Sequence, residues 1–305
     1  MSLQDFIEKS TDRYRKQGPS ILPSIGVDFV MSALARMPVV PQFGTNVFER
    51  EWDVLLILDA CRYDMYQQII RNSDRIWSVG SSSDEWMDHT FTDEYADELA
   101  RTAYVTGNPF SDDRCPAHQL AHVNEVWRHE WDDERGTIYP QPITDHVIAR
   151  HRDGYDRVIG HYMQPHYPFI GEKTSGDEKM QWNIIDDESH TGEGLALWDQ
   201  FLYAVRDDFD AVRQAYDDNL RHVFPHVETV CENVDGRVVV TADHGNALGE
   251  WGIWGHRPGM VHPKMRHVPW DTYECTDRET HVPQFENTET STTDRDEQLR
   301  SLGYL

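Results

Sequence analysis

Short apolar runs alternate along this chain with longer segments in which apolar residues recur every three or four positions. The short runs are typical of buried strands, and the longer segments are typical of helices that pack on a core. Strands are predicted at residues 54–58, 75–79, 102–106, 155–163 and 238–240, and helices at 63–71, 93–101, 142–152, 197–234 and 294–302. This alternation predicts an α/β fold, a three-layer α/β/α sandwich around a largely parallel central sheet.

The same pattern divides the chain into two parts. Residues 1–50 are predicted to form a helical leader that packs on the domain, because an apolar helical stretch near its end is followed by two prolines. Residues 51–305 are predicted to form the domain itself. Its last part is expected to be a solvated acidic arm, residues 271–294, followed by a short helix that Gly303 closes.

The charge of the chain is its most unusual compositional property. The sequence has 54 Asp and Glu against 28 Lys and Arg, a formal net charge of −26. Acidity alone is compatible with disorder, but an aromatic content of 11% and the apolar strands support a packed core. Self-repulsion at this charge is tolerable where salt screens it, with a Debye length of roughly 3 Å at 1 M. We therefore expect a halophilic, cytoplasmic protein.

The composition argues against several classes of function. The sequence has no basic patch that could neutralise phosphates, so nucleic-acid binding is not expected. No apolar run approaches the ~20 residues needed to span a bilayer, and the first residues lack the apolar core of a signal peptide. The cysteines are far apart and lack C-x-x-C spacing, which indicates neither a zinc knuckle nor a disulfide framework. Cys61 is expected to pack in the core rather than to act as a nucleophile.

Two of the predicted strands lead into acidic residues. Residues 54–58 run directly into Asp59, and residues 238–240 are soon followed by Asp243 and His244. In open α/β sheets ligands bind beyond the carboxyl ends of strands, so these side chains are candidates for a functional site. Carboxylate and imidazole together suit a divalent transition metal such as Zn²⁺ or Mn²⁺. The sequence therefore predicts that the three side chains converge on one metal ion.

Four segments of the chain resemble motifs of one enzyme family. They are Asp59-Ala60-Cys61-Arg62-Tyr63-Asp64, Gly80-Ser81-Ser82-Ser83-Asp84-Glu85-Trp86, His161-Tyr162-Met163-Gln164-Pro165-His166-Tyr167-Pro168, and Thr241-Ala242-Asp243-His244-Gly245 continuing to Gly255-His256. Their order and spacing are similar to those of the sulfatase-like branch of the alkaline phosphatase superfamily. The resemblance covers roughly residues 50–305, and it implies an alkaline-phosphatase-like fold for this catalytic domain.

The resemblance implies a metal centre with a serine nucleophile. Asp59, Asp243 and His244 would hold a divalent metal, and Ser82 would be the metal-bound nucleophile. Ser82 is chosen because it follows a glycine turn and precedes two acidic residues and a tryptophan. The neighbouring serines, Ser81 and Ser83, stay open as alternatives.

Further residues are candidates for contacts with the substrate. His166 and His256 would contact the transferring oxyanion or protonate the leaving oxygen. Arg62 would support a carboxylate or the anion, although an ion pair with a nearby aspartate explains it equally well. His161 and His262 are as readily ordinary buried histidines as ligands. The choice between one metal ion and two therefore stays open.

Two departures from the family pattern change the expected chemistry. The formylglycine signature, C or S-x-P-x-R, is absent, which removes the aldehyde-hydrate nucleophile of arylsulfatases. Ala60 stands where many arylsulfatases carry a second Asp, and His244 stands where they often carry Asn. Fewer oxygen ligands and one imidazole favour Mn²⁺ or Zn²⁺, with Ca²⁺ or Mg²⁺ as weaker candidates.

These features predict a metal-dependent hydrolase of sulfate or phosphate esters that works through a covalent serine intermediate. The retained serine brings the expected chemistry closer to a phosphatase or phosphodiesterase, acting on a small-molecule or glycan ester. One alternative is a transferase that moves a phospho-alcohol or sulfo group between glycans or lipids. A second alternative is a degenerate homologue that binds an anionic glycan or a partner protein without catalysis. The oligomeric state stays open.

Overall fold

A computed structural model describes residues 3–34, 44–171, 196–204, 206–285 and 294–304. The strands within these ranges are β1 Val54–Leu58, β2 Asp74–Trp77, β3 Thr102–Thr106, β4 His122–Glu125, β5 Trp131–Asp132, β6 Thr137–Ile138, β7 Arg157–Tyr162, β8 Gly236–Thr241, β9 Ala247–Leu248, β10 Trp254–Gly255 and β11 His267–Cys275. Seven of them form one sheet in the order β2-β11-β8-β1-β7-β3-β4. Its five strands from β8 to β4 run parallel, whereas β11 is antiparallel to both β8 and β2. The predicted largely parallel sheet is therefore confirmed.

The helices of the described residues lie mostly between these strands. They are α1 Leu3–Gln17, α2 Leu22–Leu34, α3 Tyr63–Ile69, α4 Ser83–Thr90, α5 Ala96–Leu99, α6 Ser111–Arg114, α7 Pro140–Arg152, α8 Leu197–Leu202, α9 Phe209–Cys231, α10 Pro263–Arg266 and α11 Arg295–Ser301. None of these helices combines the length and the apolar character that crossing a membrane requires.

Helices cover both faces of the central sheet. Successive side chains of a strand point to opposite faces of the sheet, so two adjacent residues of β7 show which helix covers each face. A Cβ atom at Gly160 would meet Val147 of α7, whereas the ring of the next residue, His161, lies 5.7 Å from the ring of Trp86 in α4. Helices α7 and α4 therefore lie on opposite faces, and the predicted three-layer α/β/α sandwich is confirmed.

The central strands bring their carboxyl ends to one edge of the sheet. All five residues of β1 are buried, as expected for an apolar run between two parallel neighbours. Because β8, β1, β7 and β3 are adjacent and parallel, the residues that follow them lie side by side. Asp243 follows β8, Asp59 follows β1 and Asn108 follows β3. This edge is where the candidate site forms.

The leader segment contacts the rest of the chain through polar side chains. Gln17 of α1 donates to the carbonyl of Leu202 at 2.6 Å. Arg257 donates to Asp28 of α2 at 2.6 Å, and Asp28 also accepts from Arg13 at 3.2 Å. The two helices of the leader are thereby tied to each other and to the loop that carries Arg257.

Two segments differ from the elements that the pattern predicted. The helix predicted over residues 197–234 is two helices, α8 and α9, and residue 205 between them lies outside the described residues. The predicted acidic arm begins as strand β11, since residues 271–275 pair with β8. Asp271 does not face solvent here: Arg71 donates to it at 2.6 Å, and the hydroxyl of Tyr66 at 2.7 Å. The start of the predicted arm is therefore a strand, and Arg71 neutralises the charge of its buried Asp271. Residues 286–293 of the arm lie outside the described residues.

Candidate active site

Asp59, Asp243 and His244 meet at the edge of the sheet. The Nε2 atom of His244 lies 3.6 Å from Oδ1 of Asp59 and 3.5 Å from Oδ2 of Asp243. All three side chains are fully buried. The side chains that the sequence assigned to one metal ion thus lie in one cluster, although they come from strand ends 184 positions apart in the chain.

His161 adds a fourth polar side chain to this cluster. Its Nε2 atom lies 3.6 Å from Oδ2 of Asp243. Asp59, His161 and Asp243 each offer one ligand atom, and these atoms all lie within 4.8 Å of one another. The sequence left His161 undecided because it lies within the β7 pattern, where a buried histidine needs no ligand to explain it.

The facing atoms of this cluster have no hydrogen-bond partners among the residues that the structure describes. They are Oδ1 of Asp59, Oδ2 of Asp243 and Nε2 of His161. Buried polar atoms without partners are rare because each one loses its hydration without compensation. Burial, and then the adjacent Asp243 carboxylate, raise the pKa of Asp59 well above its usual value. A divalent cation between these atoms would remove both penalties.

The remaining atoms of the cluster are oriented by hydrogen bonds. Nδ1 of His244 lies 2.7 Å from the carbonyl oxygen of Gly245, so Nδ1 carries the proton and Nε2 presents a lone pair to the carboxylates. The second oxygen of Asp243 accepts from the backbone N–H groups of Ala60 at 3.1 Å and His244 at 2.8 Å. Two carboxylates and two imidazoles are a donor set suited to Zn²⁺ or Mn²⁺, so the residues present fit the metal that the sequence implies.

The serine hydroxyl beside this cluster is that of Ser83. Its Oγ atom lies 3.3 Å from Oδ2 of Asp59 and 3.3 Å from Nε2 of His244. Ser82, the residue chosen from the sequence, donates to Asp84 instead. The physical reason is where α4 starts. Ser82 is the extended residue before the helix, with φ −154° and ψ 161°, whereas Ser83 is its first residue and faces the sheet edge.

The hydroxyl of Ser81 is engaged by hydrogen bonds within the protein. It donates to Glu85 at 2.8 Å, and its oxygen accepts from the N–H of Met260 at 3.0 Å. The turn before it needs glycine, because a Cβ atom at Gly80 would lie 2.5 Å from the backbone nitrogen of Trp86. The three serines of the loop therefore differ sharply in their partners, which sequence spacing could not reveal.

His166 and His256, the candidates for substrate contacts, lie beside the cluster. The His256 ring centroid is 4.5 Å from that of His244 and 5.0 Å from that of His166. Nδ1 of His166 contacts the carbonyl of Tyr167, and Nδ1 of His256 lies 2.9 Å from Oδ1 of Asn246. Burial, and then the His244 ring, lower the pKa of His166 to about 4; burial likewise lowers the pKa of His256. Both rings are therefore neutral near pH 7.

Arg62 and His262 are engaged by other partners. Arg62 donates to both oxygens of Asp64, at 2.9 and 2.8 Å, to Glu250 at 2.7 Å and to the carbonyl of Asn246 at 2.9 Å. It joins the loop after β1 to the loop after β8. Nδ1 of His262 accepts from the N–H of Lys264 at 3.1 Å at the start of α10. Ion pairs thus engage Arg62, and a helix cap engages Nδ1 of His262.

Asn108 and Tyr304 belong to the site but were not selected from the sequence. Asn108 donates to Oδ2 of Asp59 at 2.9 Å, and the hydroxyl of Tyr304 lies 3.2 Å from Oγ of Ser83. The rule that identified Asp59 applies equally to Asn108, since it follows the end of β3. Tyr304 carries no local signal, because it reaches the site only through the placement of α11.

Comparison with known proteins gives structural likeness without sequence matches. No protein-family model and no curated protein matches the sequence. The integral membrane protein lipooligosaccharide phosphoethanolamine transferase A from Neisseria meningitidis is similar with a TM-score of 0.51 and 14% identity. That likeness covers 92% of this chain but only 60% of the Neisseria protein.

Two further solved structures are similar over much of the chain. The C-terminal periplasmic domain of EcEptC from Escherichia coli, in complex with Zn, has a TM-score of 0.43 at 12% identity, over 76% of this chain and 75% of that one. A protein in the alkaline phosphatase superfamily from Vibrio parahaemolyticus has a TM-score of 0.42 at 10% identity, over 87% and 72%. At these levels of identity, the likeness to the Neisseria protein shows that this chain shares its fold.

Proposed function

We propose that this protein is a metal-dependent enzyme that transfers a phosphate-ester group through a covalent intermediate on Ser83. The observation that carries the proposal is the position of the Ser83 hydroxyl, 3.3 Å from both Asp59 and His244. Asp59, Asp243, His244 and His161 would hold the metal. When bound, a divalent cation stabilises negative charge and lowers the pKa of a neighbouring hydroxyl.

The chemistry of the chain's own residues then proceeds in two displacements. Oγ of Ser83 attacks phosphorus, an Oγ–P bond forms, and the bond from phosphorus to the leaving oxygen breaks. The leaving oxygen takes up one proton, which balances the proton that Ser83 loses. An acceptor hydroxyl then attacks phosphorus, the Oγ–P bond breaks, and Ser83 regains a proton. His166 and His256, both neutral, would accept and return the protons of these oxygens.

Two considerations support phosphate transfer over sulfate hydrolysis. The chain lacks the formylglycine signature of arylsulfatases and has a serine at the cluster instead. The structurally similar Neisseria protein is named a phosphoethanolamine transferase, which supports group transfer to an acceptor other than water. A cavity of about 270 Å³ next to His256 offers room for an acceptor. Hydrolysis would be the same two displacements with water as the acceptor.

The nucleophile is tested by trapping the intermediate. Protein loaded with Zn²⁺ or Mn²⁺ is mixed with aryl phosphate monoesters, aryl phosphate diesters and aryl sulfates, and the Ser81–Ser83 peptide is examined by mass spectrometry. A phosphate-ester adduct on Ser83 is expected. Ser83→Ala should lower turnover by at least about 10³-fold, as for other unit-acting catalytic groups.

Ser82→Ala is the matched control, since it removes a hydroxyl one residue away that donates to Asp84. It should retain turnover within a few-fold. If Ser82→Ala loses activity and Ser83→Ala keeps it, the nucleophile is the neighbouring serine. If both variants stay fully active, the covalent mechanism is wrong.

A further inference from the structure

Tyr304 contacts the Ser83 hydroxyl and lies between it and a neighbouring cavity that the tyrosine also lines. Its hydroxyl lies 3.2 Å from Oγ of Ser83. Its ring stacks on His166, with centroids 5.0 Å apart and an angle of 13°, and meets the ring of Phe110 edge-on at 4.8 Å. Gly303, with φ 79°, turns the chain after α11 so that the tyrosine enters the site.

Tyr304 separates the reacting atoms from the neighbouring cavity. Ser83, Asp59, Asp243 and His244 are fully buried. The cavity of about 270 Å³ is lined by Tyr304, Ser82, Asp84, His256, Trp198 and Trp254, and within the described residues neither Ser83 nor the candidate ligands contribute to its wall. A group that reaches Ser83 from this cavity must therefore displace the tyrosine ring.

We infer that Tyr304 is a gate that determines which acceptor reaches the serine-bound group: a molecule that fills the cavity displaces the ring, whereas water alone does not. The inference rests on the proposed function. Its contacts suit a gate, because the side chain is held by one hydrogen bond and by ring contacts rather than by an ion pair. The backbone N–H of Tyr304 donates to the carbonyl of Leu299 at 2.9 Å, which anchors the chain while the ring moves. Closing a site against water protects a reactive intermediate from hydrolysis. The cavity's two tryptophans suit the apolar part of a larger molecule, and its three carboxylates and two guanidinium groups suit the hydroxyls of an alcohol.

The first test measures closure without any turnover. Protein loaded with Zn²⁺ is diluted into a chelating dye, and the rate of metal release is followed. Because the candidate ligands are buried, release requires local opening, and Tyr304→Ala should accelerate it by about tenfold or more. Tyr304→Phe keeps the ring and should release metal at nearly the wild-type rate. Tyr139→Ala, at a tyrosine that is 36% exposed, is the control for loss of a tyrosine elsewhere.

The second test measures the choice of acceptor. An aryl phosphodiester is supplied with glycerol, so that water yields a phosphate monoester and glycerol yields a new diester. Tyr304→Ala should increase the ratio of hydrolysis to transfer by about tenfold, since a gate mainly excludes water. Tyr304→Phe should keep the wild-type ratio.

The outcomes separate this inference from the proposed function. If Tyr304→Ala is folded and shows the wild-type rate of metal release and the wild-type ratio of hydrolysis to transfer, Tyr304 is not a gate. Faster metal release with an unchanged product ratio would also overturn the role in acceptor choice. If the wild type forms no adduct on Ser83, the proposed function fails, while metal release still decides whether Tyr304 closes the site.

Discussion

Two groups of buried carboxylates in this protein differ in what neutralises them. Glu85 accepts from Arg266 at 2.9 Å and from Ser81 and Gly259, so its oxygens are satisfied. Asp59 and Asp243, at the ends of β1 and β8, have no guanidinium or ammonium partner among the described residues, and each keeps an oxygen without a hydrogen-bond partner. The side chain between them is the imidazole of His244, whose Nε2 atom lies 3.6 Å from Asp59 and 3.5 Å from Asp243.

The difference separates a structural carboxylate from a functional one. A buried ion pair such as Glu85 with Arg266 is complete within the chain, and it ties α4 to the end of α10. The Asp59 and Asp243 pair is incomplete, and completing it requires a cation from solution. All three side chains are buried carboxylates, so the hydrogen-bond and ion-pair partners are what distinguish the two groups.

The largest effect is expected from removing one of the unsatisfied carboxylates. Asp243→Asn preserves an oxygen for the N–H groups of Ala60 and His244 but removes a charge from the cluster. Zn²⁺ affinity should fall by at least about 100-fold, the upper range for outer-shell partners, and the rate of adduct formation by about 10³-fold. Calorimetric titration measures the first. Wild-type Zn²⁺ affinity in this variant would show that the cluster is not a metal centre.

Removing the cation of the satisfied pair should act on stability instead. Arg266→Ala leaves the buried Glu85 carboxylate without its partner, and both side chains are less than a tenth exposed. The free energy of unfolding should fall by about 3–5 kcal/mol. Arg237→Ala, which breaks exposed pairs with Glu51 and Glu274, should hardly change it. Urea unfolding measures both, and equal losses in the two variants would contradict the distinction.

The sequence predicted the sheet and the cluster for the same physical reason. An apolar run that ends in a carboxylate places that carboxylate at the strand tip, and parallel neighbours bring the tips together. Asp59, Asp243 and His244 follow from this rule. Asn108 follows from it too, and was overlooked only because an amide is a less obvious ligand than a carboxylate.

The details that escaped prediction depend on geometry between distant elements. The choice between Ser82 and Ser83 turns on which residue begins α4, and helix boundaries are the least certain part of a pattern. Tyr304 reaches Ser83 because α11 packs near the sheet edge, which no local spacing encodes. The acidic arm was predicted from charge alone, whereas Asp271 is neutralised by Arg71, a residue 200 positions away.

The pH dependence of stability should differ between metal-free and metal-loaded protein. Burial, and then Asp243, raise the pKa of Asp59 above its unfolded value, so its contribution to stability is complete below that value and is lost as pH rises. The lowered pKa values of His166 and His256 add stability as pH rises towards about 6.5. Against that opposite slope, the Asp59 contribution in chelator should fall as pH rises above about 4, by roughly 1.4 kcal/mol per unit of pKa shift. Asp59→Asn should flatten this slope. Saturating Zn²⁺ should reverse it, because binding requires ionised carboxylates; parallel slopes with and without metal would contradict the comparison.

The smallest expected effect concerns the exposed carboxylates, whose charges are screened by mobile cations in solution rather than by a bound ion. The net charge of −26 implies repulsion among these carboxylates, and added salt shortens the distance over which it acts. Raising KCl from about 0.1 M to about 2 M should therefore increase Tm by a few degrees, corresponding to about 1 kcal/mol. The buried pair should not share this response, because mobile ions screen buried charges much less than exposed ones. Measured in chelator, Asp59→Asn and the wild type should gain the same number of degrees. A Tm that is independent of KCl would count against a protein adapted to high salt, and a smaller gain in the variant would show that the cluster is open to mobile ions.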